Sequence, residues 1–316
     1  MRQIRIAGLV GFLLFRAGSV ALPQDAGSVE TQMSGVDLRL DPSVTLRIAF
    51  LRGRLVPTRA DQPPWFDQKS SFLIEIDSAR VNVTGETIAA LLNDHVFPPR
   101  HSPFRGIRVE VHPGGRAGSG MLKIKGKLYG LPFQTEGTVE LTEAGALRIR
   151  TNSVRTLGIP VRGAMRFLGL SLEKIIDWDK ARGVRAEGND LVLSPTAVLP
   201  APQVRGRLIQ IGFAENTMVQ VFRAKGPMPT RLTIPPSTTP NYMYYQGNTL
   251  RFGRLTMAPA DLLICDLGPA TPFDFFLDRY NDQLVRGYSQ NTANGGLITH
   301  MPDYRDIAGK AGPGSR

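Results

Sequence analysis

From Leu122 to Leu128 the chain reads Leu-Lys-Ile-Lys-Gly-Lys-Leu, apolar residues and lysines in strict alternation, with Gly126 taking one inward place. Successive side chains of a β-strand point to opposite faces, so this period-two pattern specifies a half-buried strand. It recurs in Val44–Leu51, Phe72–Val83, Ile107–Val111, Val139–Ile149 and Arg207–Phe213, mostly with Arg or Lys among the outward residues. The chain is thereby constrained to a sheet with one apolar and one basic face. Function must be read from what lies against the apolar one.

Three helical signals interrupt the strands. Thr84 suits an N-cap, and Ile88, Leu91, Leu92 and Val96 follow at helical spacing until Pro98-Pro99. A second run begins after Pro160 with Val161, Met165, Leu168, Leu172, Ile175 and Ile176, weakened by Gly163 and Gly169. A third starts near Pro272, with Phe273, Phe276, Leu277, Tyr280 and Leu284 on one stripe. Turn signals at Pro113-Gly114-Gly115, Gly130-Leu131-Pro132 and Glu143-Ala144-Gly145 join neighbouring strands into a meander. The expected fold class is α+β: a long curved antiparallel sheet wrapped around amphipathic helices, with a C-terminal strand/helix extension.

The organisation follows composition. Residues 1–21 read as a signal peptide: Arg2 and Arg5, an apolar run from Ile6 to Phe15 too short to span a bilayer, then Ser19-Val20-Ala21 with cleavage after Ala21. The alternative is an uncleaved anchor. Export to the periplasm or cell envelope is the corresponding expectation. Residues 22–35 form a small, polar, mobile leader, 36–223 the main domain, and 224–240 a linker carrying five prolines. Residues 241–307 form the extension, dense in aromatics, and 308–316 a flexible tail. Pro63-Pro64-Trp65-Phe66 interrupts the first strands, and its aromatics either pack onto the body or meet a membrane interface.

The net charge is +11, or +8 once Arg2, Arg5 and Arg16 are removed, and the excess lies between residues 22 and 225. For an exported chain with no aromatic-plus-basic stacking motif, anionic phospholipid is a better partner than nucleic acid. Cys265 is the only cysteine, which excludes an intramolecular disulfide, and its apolar setting makes it a core residue.

Catalytic signatures are missing from the sequence. His95, His101, His112 and His300 include no pair at zinc-motif spacing, and there is neither a Gly-x-Ser-x-Gly elbow nor a helix-opening phosphate loop. Asp261, Asp266, Asp274, Asp278 and Asp303 are carboxylates in search of a role, with Asp274 and Asp278 sharing one face if their segment is helical. The chain is expected to be no enzyme, with neither cofactor nor metal.

The run Gly126-Lys-Leu-Tyr-Gly-Leu-Pro-Phe-Gln-Thr-Glu-Gly-Thr-Val-Glu-Leu, followed by Leu147-Arg-Ile-Arg, Leu157-Gly-Ile-Pro and the amphipathic segment ending near Leu172, resembles the LmeA-like family of exported bacterial proteins. That family was long catalogued as a domain of unknown function and is similar to the tubular lipid-binding (TULIP-like) superfamily. The resemblance spans roughly residues 70–220 and implies a sheet wrapped around a helix, enclosing a groove for acyl chains. Physical chemistry agrees: an acyl chain gains about 0.8 kcal/mol per buried CH₂, so it is held without any recognisable motif. Candidate groove residues are Ile88, Leu91, Leu92, Leu168, Leu172 and Ile175, with Leu122, Ile124 and Leu128 opposite. Lys123, Lys125 and Lys127 face away, as candidates for a membrane surface. The expected function is non-catalytic lipid binding or transfer, with phospholipid or another acyl lipid as partner. The alternative is a structural or interaction module of the envelope with a solid core.

Overall fold

Two open sheets share one apolar core. The computed structural model describes residues 27–309 except 101, 116–117, 157–158, 161–181, 188–189, 228 and 237–238. Residues 1–21 and the second helical signal, with Leu168, Leu172 and Ile175, lie outside the described residues.

The larger sheet begins with three long antiparallel strands, β1 (Val29–Arg39), β2 (Thr45–Pro57) and β3 (Phe72–Thr84). The smaller is the meander the alternation predicts: β4 (Phe104–Pro113), β5 (Gly120–Leu128), β6 (Leu131–Leu141) and β7 (Leu147–Thr156), which also pairs with the short β8 (Ile159–Pro160). The run Val139–Ile149 is therefore two strands around a turn. Returning chain adds β9 (Val184–Glu187) and β10 (Asp190–Leu193), the latter against β7. A crossing segment then carries the chain back to the larger sheet as β11 (Gln203–Arg205), β12 (Leu208–Ala214) and β13 (Thr217–Arg223).

Among the described residues one helix stands between the sheets, α1 (Gly85–Ala90), continued as a wider π-type turn over Leu91–Val96. Thr84 caps it as its sequence predicts, its hydroxyl accepting from the Thr87 N–H at 3.2 Å. The sheets meet along a seam where β12 lies over β5. There Gly120 is required, because a Cβ at that position would sit 2.2 Å from the ring of Phe213.

The C-terminal residues enlarge the first sheet. β14 (Tyr242–Gly247) pairs with the first half of β1, and β15 (Leu250–Phe252) and β16 (Leu255–Met257) form a separate hairpin. β17 (Ala260–Asp266) follows β14, and beyond it come β20 (Leu297–Met301) and the edge strand β19 (Tyr288–Asn291). β18 (Phe273–Phe276) runs parallel to the second half of β1. Short helices α2 (Tyr280–Leu284) and α3 (Tyr304–Ile307) flank these strands.

Two expectations are corrected. The leader of residues 22–35 contains much of β1, which sits near the middle of the larger sheet and is buried on both faces. Its Gln32 donates to the Tyr242 hydroxyl at 2.7 Å and accepts from the Leu232 N–H at 3.0 Å. Secondly, the segment from Pro272 opens as strand β18, and only Tyr280–Leu284 is helical. Asp274 and Asp278 consequently share no helix face. Asp274 is buried and held by Arg39 and Arg305, whereas Asp278 bonds Lys69 at 2.7 Å. Residues 241–307 supply the strands on one side of β1. The proline-rich stretch crosses the outer face of that sheet, with Arg231 over the Phe50 ring and Leu232 and Ile234 against Tyr244 and Leu263.

Candidate functional site

Among the described residues the apolar face of the larger sheet is only partly covered, and the uncovered part is a cavity. Alternation supplies its walls. Leu38 and Leu40 of β1, Leu46, Ile48 and Leu51 of β2, Ile74, Ile76, Val81 and Val83 of β3, and Met218 and Phe222 of β13 form one side. Leu122, Val139, Leu147, Ile149 and Leu193 of the smaller sheet face them. Ile88, Leu91 and Leu92 of the helix close an end, and Pro195, Thr196, Val198 and Leu199 of the crossing segment, with Val204 of β11 and Gln220 of β13, complete the described lining. Unfilled space totals about 970 Å³ with its opening to solvent included, of which about 80 Å³ is open to the centre of a water-sized sphere. The site is thus a narrow slot, suited to a slender ligand. Two of its 25 lining residues, Thr196 and Gln220, have polar side chains.

Polar bonds fix the helical end wall. Asn93 clamps β4, its amide donating to the Ile107 carbonyl at 2.8 Å and its oxygen accepting from the Ile107 N–H at 2.9 Å. The Thr87 hydroxyl donates to the Thr45 carbonyl at 2.9 Å. His95 Nε2 lies 2.8 Å from Asp41 Oδ2, tying the last turn to the β1–β2 hairpin. Burial alone would raise the Asp41 carboxyl, but bonds from Ser43 and Val44 and the adjacent His95 outweigh it and hold the group below its usual range.

Four of the nine groove residues read from the sequence, Ile88, Leu91, Leu92 and Leu122, line the cavity. Ile124 and Leu128 point to the same face but do not line it. The end of β5 that carries them is filled by aromatics: Phe97 lies 5.0 Å from Phe104, and Phe104 lies 5.6 Å from Phe133. The walls contributed by β1, β2, β3 and β13 are absent from the sequence-derived set, although the same alternation marks them. Gln220 is also missed, and its signal is a polar residue on the inward register between Met218 and Phe222.

The three lysines of β5 do lie on the outer face, where Glu110 partly neutralises them: Lys125 Nζ is 2.7 Å away and Lys123 Nζ 4.0 Å. Lys127 is exposed and has no carboxylate partner among the described residues. It stands beside a hairpin tip whose Tyr129 and Leu131 are 69% and 57% exposed.

The remaining candidates serve the scaffold. Asp303 accepts from the Asp274 N–H at 2.7 Å, Asp266 from Asn241 at 3.0 Å, and Asp261 from the Tyr244 hydroxyl at 2.9 Å. Cys265 is buried, which pushes its thiol up and suppresses the reactive thiolate. Phe66 packs inward among four aromatic rings, and Trp65 lies under Arg251, 3.9 Å from its guanidinium carbon. Among the described residues no group of three or more His, Cys, Asp or Glu is placed to hold a metal, and no helix is long and apolar enough to cross a membrane.

No protein-family model, curated protein or solved structure matches the chain. The chemistry of the cavity is therefore the basis on which its function is argued.

Proposed function

We propose that this protein is an exported, non-catalytic lipid-binding or lipid-transfer protein that holds an acyl chain in the slot between its two sheets. One observation carries the reading: the slot is open, elongated and almost entirely hydrocarbon. Such a site cannot recognise a sugar, nucleotide or peptide, whose polar groups would be stranded there. It takes up a hydrocarbon chain at about 0.8 kcal/mol per CH₂ removed from water. The likeness of residues 70–220 to LmeA-like and TULIP-like proteins points the same way, and we read the two sheets around α1 as an arrangement of that kind. The exposed tip at Tyr129 and Leu131, with Lys127 beside it, is suited to resting on an anionic membrane.

The aromatic filling near Leu128 favours a second reading, a module whose core closes completely. Native mass spectrometry and organic extraction of protein purified from membrane-containing lysate separate the two. Co-purifying lipid and saturable uptake of a fluorescent acyl probe are expected. Protein that carries no lipid and takes up no probe is the solid-core module.

A further inference from the structure

Gln220 lies where the pattern of its own strand calls for a hydrocarbon. Along β13 the inward positions are Met218, Gln220 and Phe222, and all three line the cavity. Its neighbours across the ladder are Val81 of β3 and Ile211 of β12, both apolar. The residue as a whole is 6% exposed, and its amide, with no hydrogen bond to any of the described residues, reaches the open space of the slot. Leucine or methionine would suit these hydrocarbon neighbours better than a carboxamide, which gains only when something in the slot pairs with it. Among the described lining residues the only other polar side chain is Thr196, half-buried on the crossing segment.

We propose that Gln220 is the anchor for the polar group of the bound lipid, and that this lipid is neutral, carrying a hydroxyl or an ester carbonyl. This rests on the acyl-binding reading and narrows it. A carboxamide both donates and accepts, so it pairs with a hydroxyl in either sense and donates to an ester carbonyl. It carries no charge, and no Lys, Arg or His is among the described residues that line the cavity. An ionised carboxylate or phosphate drawn to that depth would be desolvated without a counter-charge, which excludes it. The hydrocarbon lies along the aliphatic walls, and the anchor fixes how far the chain enters. Acylglycerols and long-chain alcohols belong to this class, whereas an ionised fatty acid does not.

The test compares the full-length protein with Gln220→Met, which keeps the side chain's length and loses its hydrogen bonds. Two probes are titrated, monoolein and hexadecane. The variant is expected to lose affinity for monoolein about fivefold, the worth of one hydrogen bond, and to bind hexadecane unchanged. It should also unfold at a higher temperature, since the unpartnered amide is gone. Gln220→Leu gives the same pattern if the anchor is real, and guards against a packing effect peculiar to methionine. If either variant binds both probes as the parent does, or loses both equally, the anchor is overturned. A parent protein that takes up neither probe removes the acyl-binding reading itself, and the anchor with it.

Discussion

The cavity and the aromatic cluster beside it are built on the same sheet, from the same kind of alternation, and differ in how they fill space. Around Phe66, the rings of Tyr245 and Phe252 lie 5.3 Å away and that of Tyr280 5.7 Å away, all edge-on, with Phe72 stacked at 6.0 Å. Tyr280 is further tied by its hydroxyl, which donates to Asp67 and accepts from the Gly253 N–H, each at 2.7 Å. Broad rings meeting at right angles leave no slot. The cavity walls are mostly Leu, Ile and Val, with Phe222 the one aromatic among the described lining residues, and these short branched side chains leave the space between the sheets unfilled. Aromatic content thus divides the core into a part that holds the molecule together and a part that remains open.

The largest test of that contrast is Tyr280→Ala. It should cost about 3–5 kcal/mol in denaturant unfolding. Leu46→Ala in the cavity wall should fall at the lower end of its range, about 2 kcal/mol, because that side chain already faces unfilled space. Equal losses would mean that the two regions are packed alike. Next in size is Gly120→Val at the seam, where the added side chain meets the Phe213 ring; a loss of about 1–3 kcal/mol is expected. Val139→Phe fills the slot from the smaller sheet. It should change stability by less than about 1.5 kcal/mol while abolishing uptake of an acyl probe, and unimpaired uptake would show that the ligand lies elsewhere.

The smallest effect is a pH dependence confined to the C-terminal side. His300 stacks on Tyr288 at 4.6 Å, and burial lowers its pKa from the ordinary value. The unfolded chain therefore takes up a proton near pH 6.5 that the folded chain resists. Stability is complete above that pH and declines as the pH falls through and below it. His300→Phe should flatten the melting temperature between about pH 7.5 and 5.5. The same slope in parent and variant would place the titration elsewhere.

Sequence reasoning succeeds where a strand has one wet face. β2 to β7 are legible because their outward residues include Lys, Arg, Thr or Glu. It fails at β1, whose outer face is covered by the proline-rich crossing. Residues such as Gln32 and Asp37 are buried there with polar partners, so the sequence reads as a loop. It fails again at Phe273–Phe276, where all four residues are buried. A strand covered on both faces has no alternation, and phenylalanines three apart then imitate a helix. Half of the site had the same fate: Leu122 could be paired with α1 by pattern, but only tertiary structure brings β3 and β13 opposite it.

β1 changes partner midway, from antiparallel β14 to parallel β18, and both partners come from the far end of the chain. Gln32 meets Tyr242 across 210 positions. During synthesis the first strand must wait until nearly the whole polypeptide has emerged before either contact can form. Such long-range closure is slow and leaves a bare strand edge exposed to neighbours in the meantime. The hairpins of β1 to β3 and the meander of β4 to β7 are local and need no such wait, so the late step is the closing of β1 on its C-terminal partners. Until then the fold depends on whatever shields an unfinished sheet.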